Sequence, residues 1–155
     1  MDKEQFAQRV EALRPKLYRT ALCYLGNQPD ALDVLDESVY RGLCSLKKLR
    51  QPKYFDTWMT RILINECNRE LKRRSRFHPW ETQEELTAED YDQLPLQEAI
   101  QKLPKELKDV VILRFFSDLT QAETAETLEI PQGTVATRQR KALQLLKLEL
   151  EEGIL

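Results

Sequence analysis

Apolar residues recur at intervals of three and four along almost the whole chain of 155 residues, and no stretch alternates as a half-buried strand does. Such spacing places the apolar side chains on one face of a helix. We therefore predict an all-α fold. The predicted helices cover residues 4–25, in which Pro15 allows a break, 30–46, 55–74, 96–103, 105–116, a short helix after Thr120, and 132–150.

The same pattern predicts which helix faces are buried. Over residues 30–46 the apolar side chains fall within about 80° on a helical projection. They are Leu32, Leu35, Val39, Leu43 and Leu46. In the short helix after Thr120, the predicted inner face consists of Ala122, Ala125 and Leu128.

Composition excludes several classes of protein. No apolar run approaches the length that crosses a bilayer, and the charged N-terminus has no apolar core of a secretory signal, so a cytoplasmic protein is expected. A single histidine, His78, and three widely spaced cysteines argue against a metal site and a disulfide framework. The chain has no glycine-rich phosphate loop and no nucleophile paired with a base. We therefore expect no cofactor, no small-molecule substrate and no catalysis.

The total charge conceals an uneven distribution. The chain has 24 basic and 26 acidic side chains, a net charge of −2 that by itself does not suggest a nucleic-acid ligand. Residues 47–76, however, carry 10 basic and 3 acidic side chains, and residues 77–98 carry 7 acidic and no basic ones. This order indicates an anion-binding surface followed by a flexible acidic linker. Taken alone, either block is more typical of a solvated helix face or a loop.

The C-terminal part of the sequence contains a helix-turn-helix pattern. Thr120 and Glu123 have the spacing of a capping box, and Ile130 lies in a short turn before the last helix. On that last helix, side chains at intervals of three and four form a hydroxylic and then cationic face. They are Thr134, Thr137, Arg138 and Lys141, with Arg140 beside them. This face suits a helix in the major groove, although a solvated basic face would explain the helix taken alone.

Three segments, in this order, resemble one family of proteins. They are DALDVLDESVYRGLCSL, YFDTWMTRILINECNRELKRR and LTQAETAETLEIPQGTVATRQRKALQLLK. Together they are similar to the extracytoplasmic-function (ECF) subgroup of RNA polymerase sigma factors. The resemblance implies a sigma-2-like helical bundle over residues 1–76, the acidic linker over 77–95, and a sigma-4-like helix-turn-helix domain over 96–155. It also implies binding to core RNA polymerase, promoter recognition, strand opening and transcription initiation.

The resemblance also implies roles for individual residues. Phe55, Trp58, Ile62 and Asn65 match the family signature FxxWxxxIxxN, whose helix and preceding loop engage the −10 element. Candidate −10 contacts are Lys47, Lys48, Arg50, Tyr54, Arg61, Asn65, Arg69, Lys72 and Arg73. Candidate contacts to the polymerase clamp are Asp33, Asp36, Glu37 and Tyr40. Contacts to the −35 element are expected from Thr134, Thr137, Arg138, Arg140 and Lys141.

The family further implies an anti-sigma protein, often membrane-bound, as a partner. One alternative comes from a different class of protein, a helix-turn-helix transcription regulator that acts without a sigma role. That alternative explains residues 96–150 but leaves the FxxWxxxIxxN segment and its basic block without a function.

Overall fold

The computed structural model describes residues 1–77 and 95–147, and these residues form helices and no strand, which confirms the predicted all-α class. The helices are α1 Lys3–Leu25, α2 Gln28–Cys44, α3 Phe55–Phe77, α4 Leu96–Lys102, α5 Lys105–Val111, α6 Gln121–Leu128 and α7 Gln132–Leu146. None of them is both long and apolar enough to cross a membrane. The predicted acidic linker, from residue 78 to 94, and the predicted end of the last helix lie outside the described residues.

Helix α1 begins with a capping box between Asp2 and Gln5 and continues without a break through Pro15. A proline in a helix removes one hydrogen bond and costs about 3 kcal/mol. The buried face of α1 is continuous on both sides of this position, from Val10 to Leu17, so both halves of the helix pack against the same core. Packing therefore holds the helix together where the sequence allowed a break.

Helix α2 packs through small side chains, and this corrects the predicted core face. Its buried residues are Ala31, Val34, Leu35, Ser38 and Gly42. A Cβ atom on Gly42 would lie 2.9 Å from the Met59 sulfur, so α2 approaches α3 closely at this point. The helix is turned accordingly, and Leu32 and Leu43, which we expected in the core, are 39% and 38% exposed.

Two 3₁₀ turns, Leu46–Lys48 and Pro52–Tyr54, connect α2 to α3 in the basic segment between the two predicted helices. In the C-terminal domain, α5 leads into a π-helical turn, Ile112–Phe116, before α6 and α7 complete the helix-turn-helix. The capping box of Thr120 and Glu123 is confirmed.

The inner face of α6 differs from the prediction. Ala122 is exposed, whereas Ala125 is buried and Leu128 is half-buried. Thr124 and Thr127 are buried instead of Ala122. Each threonine hydroxyl donates a 2.8 Å hydrogen bond to the carbonyl four residues earlier, which satisfies the polar group inside the domain. An apolar pattern could not identify these positions.

The two domains are in contact with each other. Helix α1 packs against the π-helical turn, and α3 packs against α6. The largest cluster of buried apolar residues includes Leu17 and Ala21 of α1 together with Ile112 and Leu113 of the C-terminal domain. The main core is thus continuous across the two domains.

Candidate nucleic-acid interface

Helix α7 carries the five residues that the sequence assigns to the −35 element. Its inward face is buried and consists of Val135, Gln139, Ala142, Leu143 and Leu146. The candidate contacts lie outside this face: Thr137, Arg140 and Lys141 are exposed, and Thr134 and Arg138 are half-buried. The Thr137 hydroxyl donates a 3.0 Å hydrogen bond to the carbonyl of Gly133. Within residues 1–77 and 95–147, no carboxylate forms an ion pair with Arg138, Arg140 or Lys141.

A buried amide fixes the orientation of α7. The side-chain oxygen of Gln139 accepts hydrogen bonds from Arg114, at 3.0 Å, and from Gln121, at 3.3 Å. Val135 packs with Val110 and Ala125 in a small second core. These contacts tie α7 to both preceding helices, so its cationic side is held outward. The sequence pattern gave no sign of this role of Gln139, because an isolated glutamine in a polar helix resembles a surface residue.

The turn between α6 and α7 contains a residue in an uncommon conformation. Glu129 ends α6 in the left-handed region, with φ of 56°, where glycine is the usual residue. Its side chain forms an ion pair with Arg61 of α3, in the other domain. A candidate −10 residue is therefore in contact with the helix-turn-helix domain.

The basic segment before α3 presents its candidate contacts to solvent. Lys47, Lys48, Arg50 and Tyr54 are all exposed. The Lys53 ammonium lies 5.0 Å from the centre of the Tyr54 ring, a cation–π contact on an aromatic side chain that is 44% exposed. Exposed aromatic rings among cationic groups are the usual elements of a single-strand binding surface.

A cleft of about 360 Å³ opens between this segment and the C-terminal domain. One wall is cationic and aromatic, and the other carries two carboxylates. The first wall includes Lys48, Arg50, Tyr54, Trp58 and Arg61, and the second Glu126 and Glu129. Trp58 is half-buried, with its ring 5.9 Å from that of Phe55, so it belongs in part to the core and in part to the cleft.

The remaining candidate −10 residues lie along one side of α3, and all of them are exposed: Arg61, Asn65, Arg69, Lys72 and Arg73. Most of their charge is already paired. Arg69 contacts Glu66 at 3.1 Å. Arg73 binds both carboxylate oxygens of Glu70, at 2.7 and 2.9 Å, and these hydrogen bonds lower the pKa of Glu70. Lys72 forms no ion pair within the described part of the chain.

Another cation of the basic block has a structural role. Arg74 forms an ion pair with Asp30 and donates a 3.0 Å hydrogen bond to the carbonyl of Leu25, so it joins α3 to the turn between α1 and α2. The hydrogen bond from Asn27, followed by the contact with Arg74, lowers the pKa of Asp30. The charge available to DNA on α3 is therefore smaller than the charge count of the sequence suggested.

The candidate polymerase contacts lie on the outer side of α2. Asp33, Asp36, Glu37 and Tyr40 are exposed, and Tyr40 is 63% exposed. Glu37 accepts a 3.0 Å hydrogen bond from Arg41. The two leucines that turned out to be exposed, Leu32 and Leu43, share this side of the helix with Asp36. Sequence reasoning placed them in the core and so omitted them from the surface.

A broad groove brings two sets of candidates together. It measures about 1330 Å³ and runs between α2, the second half of α3 and the start of α5. Asp33 and Glu37 line it on one side, and Asn65, Arg69 and Lys72 line it on another. The remaining polymerase candidates and the α7 residues lie elsewhere on the molecule.

Comparison with known proteins places both domains in one family. Residues 9–77 match the family model described as sigma-70 region 2, and residues 99–148 match that described as sigma-70, region 4. The chain is 36% identical to the RNA polymerase sigma factor SigV of Bacillus subtilis, over 86% of this chain and 83% of that protein. It is 27% identical to the ECF RNA polymerase sigma factor SigW of the same organism, over 97% and 91% of the two chains.

Solved structures have the same fold. The sigma factor RpoE, in a complex with the anti-sigma factor NepR from Bartonella quintana, matches with a TM-score of 0.72 and 18% identity over 95% of this chain and 99% of that one. CnrH, in a complex with the cytosolic domain of CnrY, matches with a TM-score of 0.71 and 19% identity over 94% and 87%. Since both domain models and the curated relatives agree, the chain belongs to the ECF group of the sigma-70 family, the factors that direct RNA polymerase to promoters.

Proposed function

We propose that this sigma factor contacts promoter DNA through α7 and through the basic segment with α3, and core polymerase through the outer side of α2. The observation that carries the proposal is the cationic side of α7. Arg138, Arg140 and Lys141 have no carboxylate partner in the described residues, while Gln139 and Val135 hold the opposite face in the core. Cations that are not neutralised within the protein are available to phosphates and base edges.

In the −35 contact, Arg138 has the role of reading bases. It lies in the first half of α7, which is the part that enters the major groove in helix-turn-helix proteins, and its guanidinium can bind guanine through two hydrogen bonds. Arg140 and Lys141 contact phosphates and thereby position the domain. Thr134 and Thr137 lie nearer the start of the helix, beside Arg138.

In the −10 contact, the cleft beside Tyr54 and Trp58 receives an unpaired base. Lys47, Lys48 and Arg50 supply phosphate contacts at its entrance, and Lys72 extends this surface along α3. Opening a duplex requires both a cationic surface and a site for an extruded base, because the base loses its stacking partners. The exposed ring of Tyr54 supplies a stacking surface.

The polymerase contact combines acidic and apolar side chains of α2. Asp36 and Tyr40 lie next to the exposed leucines Leu32 and Leu43, so the surface has an apolar part that can be buried and a charged part that gives specificity. Asp33 and Glu37 lie at the edge of this surface, toward the groove.

Binding to purified core polymerase tests the assigned surface of α2. The affinity of core polymerase is measured for the wild-type chain, for Asp36→Arg and for the control Glu106→Arg, which reverses an exposed carboxylate of the C-terminal domain. We expect Asp36→Arg to lose affinity for core polymerase and the control to keep it. Equal affinity of both variants would exclude the assigned surface of α2.

Three further properties belong to the proposal. The domains extend over residues 1–76 and 96–155, with residues 77–95 as the acidic linker. An anti-sigma protein, membrane-bound in many members of the family, regulates the factor. One solved sigma factor of the same fold, RpoE, is bound to the anti-sigma factor NepR. The factor acts in the cytoplasm as a binding protein without catalysis of its own, where polymerase and DNA are found.

A further inference from the structure

Lys108 of α5 is a buried lysine without a direct partner. Its exposed fraction is only 5%, yet within residues 1–77 and 95–147 its ammonium group donates no hydrogen bond and forms no ion pair. Burial removes the water that solvates an ammonium group, so buried lysines usually have a carboxylate or carbonyl partner. The charge of Lys108 is left for a group from outside this part of the chain.

The adjacent carboxylate, Asp109, does not fill this role. One of its oxygens accepts hydrogen bonds from Tyr24 and Asn68. The other oxygen lies 3.8 Å from the ammonium nitrogen of Lys105. Burial lowers the pKa of Lys108, and the charge of Asp109 opposes this shift only from a longer distance. An anion bound directly to Lys108 would stabilise its charged form.

The exposed part of Lys108 faces the broad groove between α2, α3 and α5. Lys105 lies one turn earlier on α5 and lines the same groove. Helix α3 contributes Lys72 and Arg76, which are four positions apart and therefore share a face. Neither of these two forms an ion pair within the described part of the chain. Four cations from two helices thus border one groove.

The arginines in the middle of the α3 wall are already bound to carboxylates. Arg69 contacts Glu66 at 3.1 Å. Arg73 contacts Glu70 at 2.7 Å. The cations that remain are mainly lysines, which bind phosphate as compact point charges, whereas the planar guanidinium group suits a carboxylate. The groove is therefore better suited to a phosphate ligand than to a carboxylate.

We propose that this groove binds a small molecule with two linked phosphate groups, with Lys108 at its base and Lys72, Arg76 and Lys105 around it. Two linked phosphates offer acceptor oxygens on several sides, so they can contact cations of both helices at once. The groove, at about 1330 Å³, is larger than most small-molecule sites, which measure about 300–1000 Å³. It therefore has room for free pyrophosphate and for a nucleoside diphosphate.

This site goes beyond the proposed contacts with promoter and polymerase. Lys72 belongs to both, as a candidate −10 residue and as part of the groove. Lys105 and Lys108 belong to neither contact. Substitution of these two lysines therefore tests the site without altering the residues assigned to DNA or to polymerase.

The test is isothermal titration calorimetry of the full chain at constant ionic strength, with inorganic pyrophosphate in one arm and ADP in the other. Lys108→Met removes the buried charge and keeps a side chain of similar length. Lys3→Met is the matched control, because it removes an exposed lysine of α1 that does not line the groove. Circular dichroism and urea titration check the fold, and Lys108→Met should be at least as stable as the wild type because a buried charge without a direct partner is lost.

We expect the wild type and Lys3→Met to bind pyrophosphate with equal affinity and Lys108→Met to bind about tenfold more weakly, because a charged hydrogen bond is lost. ADP should follow the same order. Binding of both probes identifies the linked phosphates as sufficient, and binding of ADP alone identifies a nucleotide as the ligand. Lys105→Met, at an exposed position, should weaken binding by a smaller factor and decides the question if Lys108→Met fails to fold.

Two results would overturn the inference. One is the absence of binding of either probe at millimolar concentration, and the other is equal affinity of Lys108→Met and Lys3→Met. Weaker binding of single-stranded DNA to Lys108→Met, with unchanged binding of pyrophosphate, would also overturn it and would assign the lysine to nucleic acid. Transcription by core polymerase with Lys108→Met, without added pyrophosphate, should equal that of the wild type, so the promoter role is judged separately.

Discussion

The hydroxyl of Tyr24, in α1, and the carboxylate of Asp109, in α5, form a fully buried hydrogen bond between the two domains. Asn68 of α3 donates a second hydrogen bond, 3.3 Å long, to the same oxygen of Asp109. Burial raises the pKa of Asp109, and the two hydrogen bonds act in the opposite direction by stabilising its charge. One carboxylate thus joins three helices through hydrogen bonds.

The variant Tyr24→Phe should lower the free energy of unfolding by about 1–3 kcal/mol, because Asp109 then remains buried with one hydrogen-bond donor fewer. Urea titration followed by circular dichroism measures the change. Tyr18→Phe serves as the control, since the Tyr18 hydroxyl makes no hydrogen bond within the described residues. A stability of Tyr24→Phe equal to that of the control would contradict the prediction.

The free energy of unfolding should fall at alkaline pH because the buried hydroxyl of Tyr24 then loses its proton more easily in the unfolded state. Burial, followed by the neighbouring Asp109 carboxylate, raises the pKa of Tyr24 well above its ordinary value. A raised pKa means that the folded state holds the proton more tightly than the unfolded state. The contribution of Tyr24 is therefore complete below about pH 10 and is lost as the pH rises beyond it. Unfolding titrations between about pH 8 and pH 11 should show this decline in wild type and Tyr18→Phe, and a shallower decline in Tyr24→Phe.

The three cysteines should react with thiol reagents at different rates. Cys44 is exposed and Cys23 is half-buried, whereas Cys67 is fully buried. Burial raises the pKa of the Cys23 and Cys67 thiols, which lowers the amount of reactive thiolate. An aromatic disulfide reagent at neutral pH should modify Cys44 first, Cys23 slowly, and Cys67 only after unfolding. Cys44→Ser should remove the fast phase, and persistence of that phase would show the ordering to be wrong.

Arg138→Ala should weaken use of the −35 element by about 1–3 kcal/mol and in a sequence-dependent way, because a guanidinium with two hydrogen bonds to one base is lost. Transcription from a panel of promoters that differ in the −35 element measures the effect. Gln144→Ala is the matched control, since Gln144 is an exposed residue near the other end of α7. An unchanged ranking of promoters would exclude Arg138 as a base contact.

Lys72→Ala should weaken different promoters uniformly. Lys72 has no ion-pair partner among the described residues, so its charge is available to a phosphate. The slope of log affinity against log salt should fall by about 1. Arg74→Ala is a comparison variant with a different expected effect. Because Arg74 binds Asp30 and the Leu25 carbonyl, its loss should lower the free energy of unfolding and change the salt slope little.

Sequence patterns predicted the helices and the helix-turn-helix, because apolar periodicity and capping residues act over a few positions. The patterns failed on α2, where Ala31, Ser38 and Gly42 are buried because they allow close helix packing and not because they are strongly apolar. They also could not pair Tyr24 with Asp109. Contacts between polar residues 85 positions apart leave no periodic signal, and the contact between the two domains includes such a pair.

The hydroxyl proton of Thr137 is directed along its own helix, to the carbonyl of Gly133. Its oxygen therefore offers only lone pairs to a molecule that approaches α7. While this hydrogen bond is kept, the hydroxyl cannot donate to phosphate oxygens, guanine O6 or thymine O4, whereas the amino groups of adenine and cytosine can donate to it. In the major groove each base pair presents one amino group, that of adenine or of cytosine. The Thr137 oxygen can therefore distinguish base pairs by whether this amino group lies on the side that faces α7.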